Sequence, residues 1–448
     1  MRNSERVRPA GIAGRLVQAG GAGLLLLVLA GCASTVSWGR YGNELNGLSA
    51  EAWIEDIDAL ERDLVRRHPE PFHSVEEEVF SARLAQLRSE AERIADGRAR
   101  ADAMVAGIHG ALALLQEGHT TVDASPSIQY PALIRRFRTA EGEWEFRVAY
   151  SDEALPEIRG RRILAIGGLP PEQALERVAA YASAERDDGR VFFAQRLMAD
   201  PRLMRGIGIA DEDGLLLTVA TPDGDVDVLL EPQPVESLSL WSPDLSVIEL
   251  QKDLERSLSF RGSGRFWYEI AGSTLYFRYN SSTTDALSMM NEIIDLVEAG
   301  KVERLVIDLR FNGGGNSFPG TRFVNRLSAT AVGIERGRLY VMISENTFSS
   351  AIMTAVDAMA ETEAILVGTP LAAPVDSWGE VRRFALPNSG LVIGHSTRYW
   401  DYTSGKSLRL VDGVVRPDPG WEAAWTFDEW VAGYDPALEL ILAAERPK

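Results

Sequence analysis

The spacing of hydrophobic positions changes along the chain, and the first part has the spacing of amphipathic helices. Residues three or four positions apart lie on one face of a helix. In the first such stretch these positions hold Trp53, Ile57, Leu60 and Leu64. Ser49 precedes it as a typical helix N-cap, and two further stretches cover residues 75–95 and 100–116. The pattern predicts an amino-terminal helical domain over residues 49–124.

The hydrophobic spacing then changes to the alternation that is typical of strands. Residues 125–235 contain a predicted hairpin around the turn TPDGD (221–225) and a strand, glycine turn and helix in GRRILAIGGLPPEQALERV (160–178). Residues 236–262 are interpreted as a connector. From residue 263 to 448, strand-like runs alternate with helix-like runs, which favours an α/β core with right-handed crossovers.

The amino terminus has the pattern of a processing signal rather than of a folded element. Arginines precede a short apolar run that ends in small residues, and this run is too short to span a bilayer. The sequence LAGC (29–32) resembles the cleavage box of bacterial lipoproteins, which predicts a signal peptide over 1–31, a lipid on Cys32 and a tether over 32–48. The alternative is an ordinary signal peptide that contains a cysteine. Ala33 resembles the pattern of lipoproteins sorted to the outer membrane, so we expect an envelope protein that faces the periplasm.

Charge and cysteine content restrict the classes of function. The net charge is −19, and it becomes −22 without residues 1–31, which carry four arginines and one glutamate. Such acidity argues against nucleic acid as a partner, because phosphates require a basic surface. Cys32 is the only cysteine, which excludes disulfides and leaves no catalytic thiol after lipidation. No group of histidine and carboxylate residues has the spacing of metal ligands, so no metal or other cofactor is predicted.

The segment LVIDLRFNGGGN (305–316) begins as a buried strand and ends in charged residues and glycines. One residue at positive φ usually suffices for a turn, so three successive glycines favour backbone that approaches another group closely. Glycine amides after a strand can also donate to an oxyanion. The structural alternative is a tight strand-to-helix connection. A phosphate loop is a weaker alternative, because no Gly-Lys-Ser/Thr ending follows.

Two polar positions next to predicted helices complete the candidate chemistry. Ser349 and Ser350 occupy the first turn of a predicted helix over 349–360, where the helix terminus favours negative charge. His119 directly follows Gly118, the expected end of an earlier helix. Each has a structural alternative, since serines are common N-caps and a single histidine is weak evidence. The other histidines are interpreted as structural or exposed: His68, His73, His109 and His395.

Together, LVIDLRFNGGGN and TFSSA (347–351) resemble the tail-specific, or C-terminal-processing, serine peptidases and the tricorn protease core. The resemblance extends over most of the mature chain, including EGHT (117–120) and RPD (416–418). It implies a crotonase-like α/β spiral over 263–448, behind the helical domain and a β-rich middle region. In that region GRRILAIGG resembles a degenerate PDZ-type segment.

The resemblance also implies roles for individual residues. Ser349 would be the nucleophile of a peptidase. The amide of Ser350, with that of Gly314 or Gly315, would form the oxyanion hole. The polar residues of the strand end would brace the glycine loop: Asp308, Arg310 and Asn312.

The general base departs from the tail-specific pattern. That branch has a lysine about two dozen residues after the serine, but the corresponding stretch here, VGTPLAAPVDSWGEV (367–381), contains none. The lysine-free branches, tricorn among them, use a histidine with an acidic partner, which makes His119 the predicted base. Asp412 is the predicted acid and Glu380 the second choice, while a Ser–His pair without an acid stays open.

The sequence therefore predicts an envelope-anchored serine peptidase that cleaves peptide or protein substrates through an acyl-enzyme. A non-catalytic binding protein on the same scaffold is the main alternative, because the retinoid-binding interphotoreceptor protein resembles this family and a fold does not fix a function. An esterase or amidase that acts on small acyl substrates is a third.

Overall fold

The computed structural model describes residues 40–238, 257–262 and 264–444. The predicted signal peptide, Cys32 and most of the tether lie outside these residues, as does much of the connector. Within the described ranges, no helix combines the length and apolarity needed to cross a bilayer.

Three helices form the amino-terminal region, as the hydrophobic spacing predicts. Ser49 caps the first helix by accepting a hydrogen bond from the Ala52 amide at 3.2 Å. The buried face of these helices packs against Phe384, Leu391 and other apolar residues of the carboxyl-terminal half, so the two regions share a core. The elements are β1 (Arg40–Tyr41), α1 (Ala50–Arg67), α2 (Glu77–Arg93), α3 (Gly97–Ala113) and β2 (Thr121–Val122).

The middle region is rich in strands, and its predicted hairpin at TPDGD is present. Two antiparallel strands there flank the turn, with Thr221 opposite Gly224. The degenerate PDZ-like assignment stays a prediction. The elements are β3 (Ser125–Pro126), β4 (Ile128–Gln129), β5 (Ala132–Arg138), β6 (Trp144–Ser151), β7 (Ile163–Ile166), α4 (Pro171–Ala179), α5 (Asp187–Leu197), α6 (Pro201–Gly206), β8 (Leu215–Thr221), β9 (Gly224–Leu230) and β10 (Gln233–Pro234).

A five-stranded sheet forms the centre of the carboxyl-terminal half, and the predicted alternation of strands and helices is confirmed. Its strand order follows the chain; the first pair is antiparallel and the other pairs are parallel. The crotonase-like assignment stays a prediction. The elements are β11 (Phe266–Ala271), β12 (Thr274–Tyr279), α7 (Leu287–Glu298), β13 (Arg304–Asp308), α8 (Phe318–Leu327), α9 (Ala331–Ile334), β14 (Leu339–Ile343), α10 (Ser350–Glu361) and β15 (Ile365–Gly368).

The last part of the chain connects the two halves. One of its strands pairs with β2, directly after His119 and Thr120, and so fixes that segment against the carboxyl-terminal half. The elements are β16 (Ser377–Gly379), β17 (Arg382–Ala385), β18 (Val392–His395), which is the strand that pairs with β2, β19 (Arg398–Trp400), β20 (Leu410–Val411), β21 (Val414–Val415), α11 (Phe427–Ala432) and α12 (Pro436–Ala443).

Candidate active site

The end of β13 carries a buried ionic group. Arg310 Nη2 lies 2.7 Å from Asp308 Oδ2 and 2.6 Å from Asp435 Oδ2, and Tyr276 donates its hydroxyl to Asp308 at 2.6 Å. Burial alone would raise the pKa of Asp308, but the charge and hydrogen bonds of Arg310 outweigh it and hold that pKa below its usual value. These side chains are saturated with partners, so their contacts fix the loop that follows.

Asn312 connects the glycine loop to the segment that precedes Ser349. Its Nδ2 donates to the Tyr279 carbonyl at 2.8 Å, and its Oδ1 accepts from the Gly314 amide at 2.9 Å. Its own carbonyl accepts from the Phe348 amide at 3.0 Å. Because Asn312 is fully buried, these bonds hold the two loops in one arrangement.

Ser349 lies at a sharp turn between a braced loop and α10. Thr347 donates its hydroxyl to the Leu309 carbonyl at 2.9 Å, and Ser344 donates to the Arg310 carbonyl at 2.6 Å. Ser349 has φ +53° and ψ −125°, a conformation that residues other than glycine rarely adopt. Such strain persists only where the surroundings impose it, and it is common at functional sites. The turn places Ser349 at the positive end of α10.

The backbone around Ser349 offers two amide donors. Ser350 is the first residue of α10, so its N–H has no acceptor within the helix. The Ser282 amide donates to the Gly314 carbonyl, and the Ser282 carbonyl accepts from the Asn316 amide, as in a parallel β-bridge. In such a bridge the N–H of the residue between these two, Gly315, points away from Ser282. The Gly315 carbonyl accepts from the Ser350 hydroxyl at 2.6 Å. The Gly314 amide is bonded to Asn312, so Gly315 is the stronger of the two candidates from the glycine loop.

Gly314→Ala is expected to lower the rate of covalent modification of Ser349 by roughly a hundredfold. Gly314 has φ +99°, and a Cβ there would lie 2.6 Å from the Ser349 Cβ and 2.9 Å from the Phe348 carbonyl oxygen. Labelling with a fluorophosphonate measures the rate. Gly390→Ala is the control, because Gly390 also has positive φ but has no atom within 4 Å of the added methyl. Equal rates for the two variants would contradict the close packing of loop and serine.

His119 lies beside the turn that carries Ser349. Its ring stacks on Phe348, the preceding residue, with 4.6 Å between ring centroids. Within the described part of the chain neither ring nitrogen makes a hydrogen bond of normal geometry. Burial lowers the pKa of His119 to about 4, although the charge of Glu117 and the backbone of Trp378 act in the opposite direction. The imidazole is therefore neutral near pH 7 and has an unused acceptor.

The structure also contains a buried network around Glu117 that the sequence patterns did not indicate. The Glu117 carboxylate lies 2.8 Å from His68 Nε2 and 3.2 Å from His73 Nε2, and it accepts from the hydroxyls of Thr120 and Ser396. Burial alone would raise the pKa of Glu117, but the hydrogen bonds from His68 and His73 outweigh it and lower that pKa well below its usual range. The network fixes the turn that leads into His119.

Neither predicted acid is hydrogen-bonded to His119. Asp412 is exposed on the β20–β21 turn, where its backbone carbonyl accepts from Arg186 at 3.2 Å. Glu380 is also exposed and lies 4.0 Å from Arg398. Neither carboxylate therefore occupies the place of a hydrogen-bonded acid beside His119.

Among the described residues, no group of three or more His, Cys, Asp and Glu side chains has a geometry suited to a metal ion. Of the predicted site residues, the structure brings together Ser349, Ser350, His119 and the glycine loop. Cys32, the predicted lipidation site, lies outside the described residues.

Comparisons with known proteins give structural matches only. No protein-family model matches the chain, and a search of curated proteins finds no similar sequence. The crystal structure of a CPAF S499A mutant superposes with a TM-score of 0.59 at 12% identity, covering 89% of this chain and 99% of CPAF. Mature CPAF in complex with lactacystin superposes with a TM-score of 0.57 at 13% sequence identity, covering 88% of this chain and 97% of that one. The photosystem II D1 C-terminal processing protease gives a TM-score of only 0.37 at 14% sequence identity, with 87% of this chain and 98% of that one covered. The chain thus has the mixed α/β fold of CPAF over nearly its whole length.

Proposed function

We propose that this protein is a serine peptidase that cleaves peptide bonds through an acyl-enzyme. One observation carries the proposal: Ser349 lies at a strained turn at the start of α10 and packs against the glycine loop, and the His119 ring stacks on the preceding Phe348. A nucleophile, a base and oxyanion donors are the parts that acyl transfer requires. The fold shared with CPAF supports the same reading, since a structure of that protein contains bound lactacystin.

In the proposed mechanism, Ser349 Oγ attacks the carbonyl carbon of the scissile bond while its proton passes to His119. The N–H groups of Ser350 and Gly315 stabilise the resulting oxyanion. The C–N bond then breaks, His119 returns the proton to the leaving amine, and the acyl group remains as an ester on Ser349. Water then attacks the ester carbonyl as His119 takes its proton, the bond between the acyl carbon and Ser349 Oγ breaks, and His119 returns the proton to Oγ, which releases the acid and regenerates the serine.

His119→Ala is expected to slow modification of Ser349 by a factor of roughly 10²–10⁴, the usual contribution of a general base. The rate of fluorophosphonate labelling at about pH 7.5, where such a base is in its neutral form, measures the effect. His395→Asn is the matched control: His395 is also a buried histidine, but it lies beside the Ser396 carbonyl and Phe384. Undiminished labelling of His119→Ala would remove His119 as the base and leave the nucleophile unaffected.

Hydrolysis of an unfolded protein tests the assignment as a peptidase. We expect the chain from residue 33 onward to cut β-casein, and the Ser349→Ala variant to leave it intact. Mass spectrometry of the fragments identifies the cleaved bonds. Turnover of small esters without cleavage of casein or of a peptide library would instead favour the esterase or amidase. A folded protein that binds peptides but cleaves nothing would favour the binding protein.

The anchoring of the protein is part of the same proposal. The box LAGC (29–32) supports cleavage before Cys32 and a lipid on that residue, which would hold the peptidase at the envelope membrane. The intact mass of protein extracted from membranes tests this directly. A chain that begins at Cys32 and carries acyl groups is expected, and a soluble, unmodified chain would contradict the anchor.

A further inference from the structure

A second buried carboxyl group lies beside the candidate site, on the loop between α4 and α5. Glu185 Oε1 accepts a hydrogen bond from the Gly118 amide at 3.0 Å. Its other oxygen, Oε2, is inaccessible to solvent and has no hydrogen-bond partner in the described part of the chain. A buried carboxyl oxygen without a partner is costly, so its retention calls for an explanation.

Glu185 lies against Gly118, the residue that precedes His119. A methyl group on Gly118 would lie 3.2 Å from Glu185 Oε2 and 3.3 Å from the Phe348 ring. Gly118 precedes His119, whose ring stacks on Phe348. Glu185 Oε2 and the Phe348 ring therefore both face the α-carbon of Gly118, and the His119 imidazole packs on that ring, which belongs to the residue before Ser349.

Glu117, the other nearby carboxylate, already accepts hydrogen bonds from four side chains. It contacts two histidines and two hydroxyls, which together use the acceptor sites of a carboxylate. A bond to His119 would require Glu117 to release one of these partners. Glu185 has unused acceptor capacity and Glu117 does not.

We propose that Glu185 is the positioning residue for His119: when ionised, it raises the basicity of His119 and stabilises the imidazolium that forms as Ser349 attacks. The inference rests on the proposed function. It assigns the acidic role to a residue of the middle region, which would make that region part of the reaction apparatus. Asp412 and Glu380 are exposed and would then have no catalytic role.

The proposal gives a specific dependence on pH. Burial raises the pKa of Glu185 to about 7, and the negative charge of Glu117 raises it as well. Hydrogen bonds from the Gly118 amide and from the backbone amide of Glu185 lower this pKa, as does the charge of His73, but burial outweighs them. Glu185 is therefore neutral below about pH 7 and negative above it. His119, with its pKa near 4, is already neutral throughout this range. An activity that rises through about pH 7 would thus report Glu185 and not His119.

The test is the pH profile of fluorophosphonate labelling from about pH 5 to about pH 9. We expect the wild-type rate to rise with a midpoint near 7, and Glu185→Gln to lose this rise and to label roughly tenfold more slowly near pH 8. Asp412→Asn and Glu380→Gln remove exposed carboxylates and serve as matched controls that keep the wild-type profile. A wild-type profile in Glu185→Gln, or loss of the rise in a control, would overturn the proposal. No labelling of the folded wild type at any pH would instead contradict the proposed function.

A second measurement tests the proposal even if the Glu185→Gln variant does not fold. In the Ser349→Ala protein, the ¹³C shift of the His119 ring is followed by NMR as the pH is raised. An inflection near 7, well above the titration of His119 itself, is expected because ionisation of Glu185 changes the field at the ring. A curve that is flat between about pH 6 and about pH 8 would overturn the proposal.

Discussion

Ser349→Ala is expected to lower the rate of peptide hydrolysis by about 10⁴-fold or more, with no loss of fold. The hydroxyl is the proposed nucleophile, so no acyl-enzyme can form without it. The hydroxyl makes no capping hydrogen bond to α10, and loss even of a capping hydroxyl costs only about 0.5–2 kcal/mol of unfolding free energy. The braced loop, held by Thr347 and Asn312, is unchanged by the substitution. Turnover of a casein-derived peptide and the urea midpoint measure the two effects.

Ser328→Ala is the control for this substitution. Ser328 lies at the end of α8, where its hydroxyl donates to the Asn325 carbonyl at 2.9 Å, away from the glycine loop. We expect wild-type turnover from this variant. Residual turnover of more than about one per cent in Ser349→Ala would mean that another group attacks the substrate.

Arg310→Ala is expected to cause the largest loss of stability, about 3–5 kcal/mol of unfolding free energy. Removing the guanidinium takes from Asp308 and Asp435 the cation that bonds to both, and both carboxylates are fully buried. The pKa of Asp308, now held low by Arg310, would rise towards that of a buried carboxyl. Because this group fixes the end of β13, labelling of Ser349 should also decrease.

The matched control is Arg326→Ala, which removes an ion pair from the surface. Arg326 lies 3.1 Å from Glu298, and both side chains are substantially exposed. Such pairs contribute about 0–1 kcal/mol. Urea unfolding of the two variants gives the comparison. Similar losses for both arginines would mean that the buried group does not stabilise the loop.

Much of the fold could be predicted from the spacing of apolar residues. The run before Asp308 predicted β13, and the periodicity after Ser349 predicted α10, because each depends on neighbours close in sequence. These elements are local, and local patterns identify them.

The long-range contacts of the site could not be predicted from such patterns. Arg310 bonds to Asp435, which lies 125 residues away, and no spacing rule connects the two. Glu117 accepts hydrogen bonds from residues in both halves of the chain, including Ser396. Its burial therefore depends on the tertiary packing and cannot be predicted from the local sequence. The resemblance to known peptidases paired His119 with Ser349, but it gave no indication of Glu185, which lies in a loop with no recognisable motif.

The backbone of the glycine loop required the structure as well. The sequence offered Gly314 and Gly315 as equal candidates for the oxyanion hole. The bond from the Gly314 amide to Asn312 separates them, because an amide held by a side chain is not available to substrate. Likewise, nothing in the residue type of Ser349 indicates a positive φ.

The intact mass of the protein after treatment with a fluorophosphonate tests the central claim most directly. Wild type, Ser349→Ala and His119→Ala, each expressed from residue 33 onward, are treated side by side, and peptide mapping locates the adduct. We predict one adduct on the wild type, on Ser349, none on Ser349→Ala, and much slower formation on His119→Ala. A folded wild-type protein that forms no adduct, or forms it on another residue, would contradict the assignment of Ser349 as an activated nucleophile.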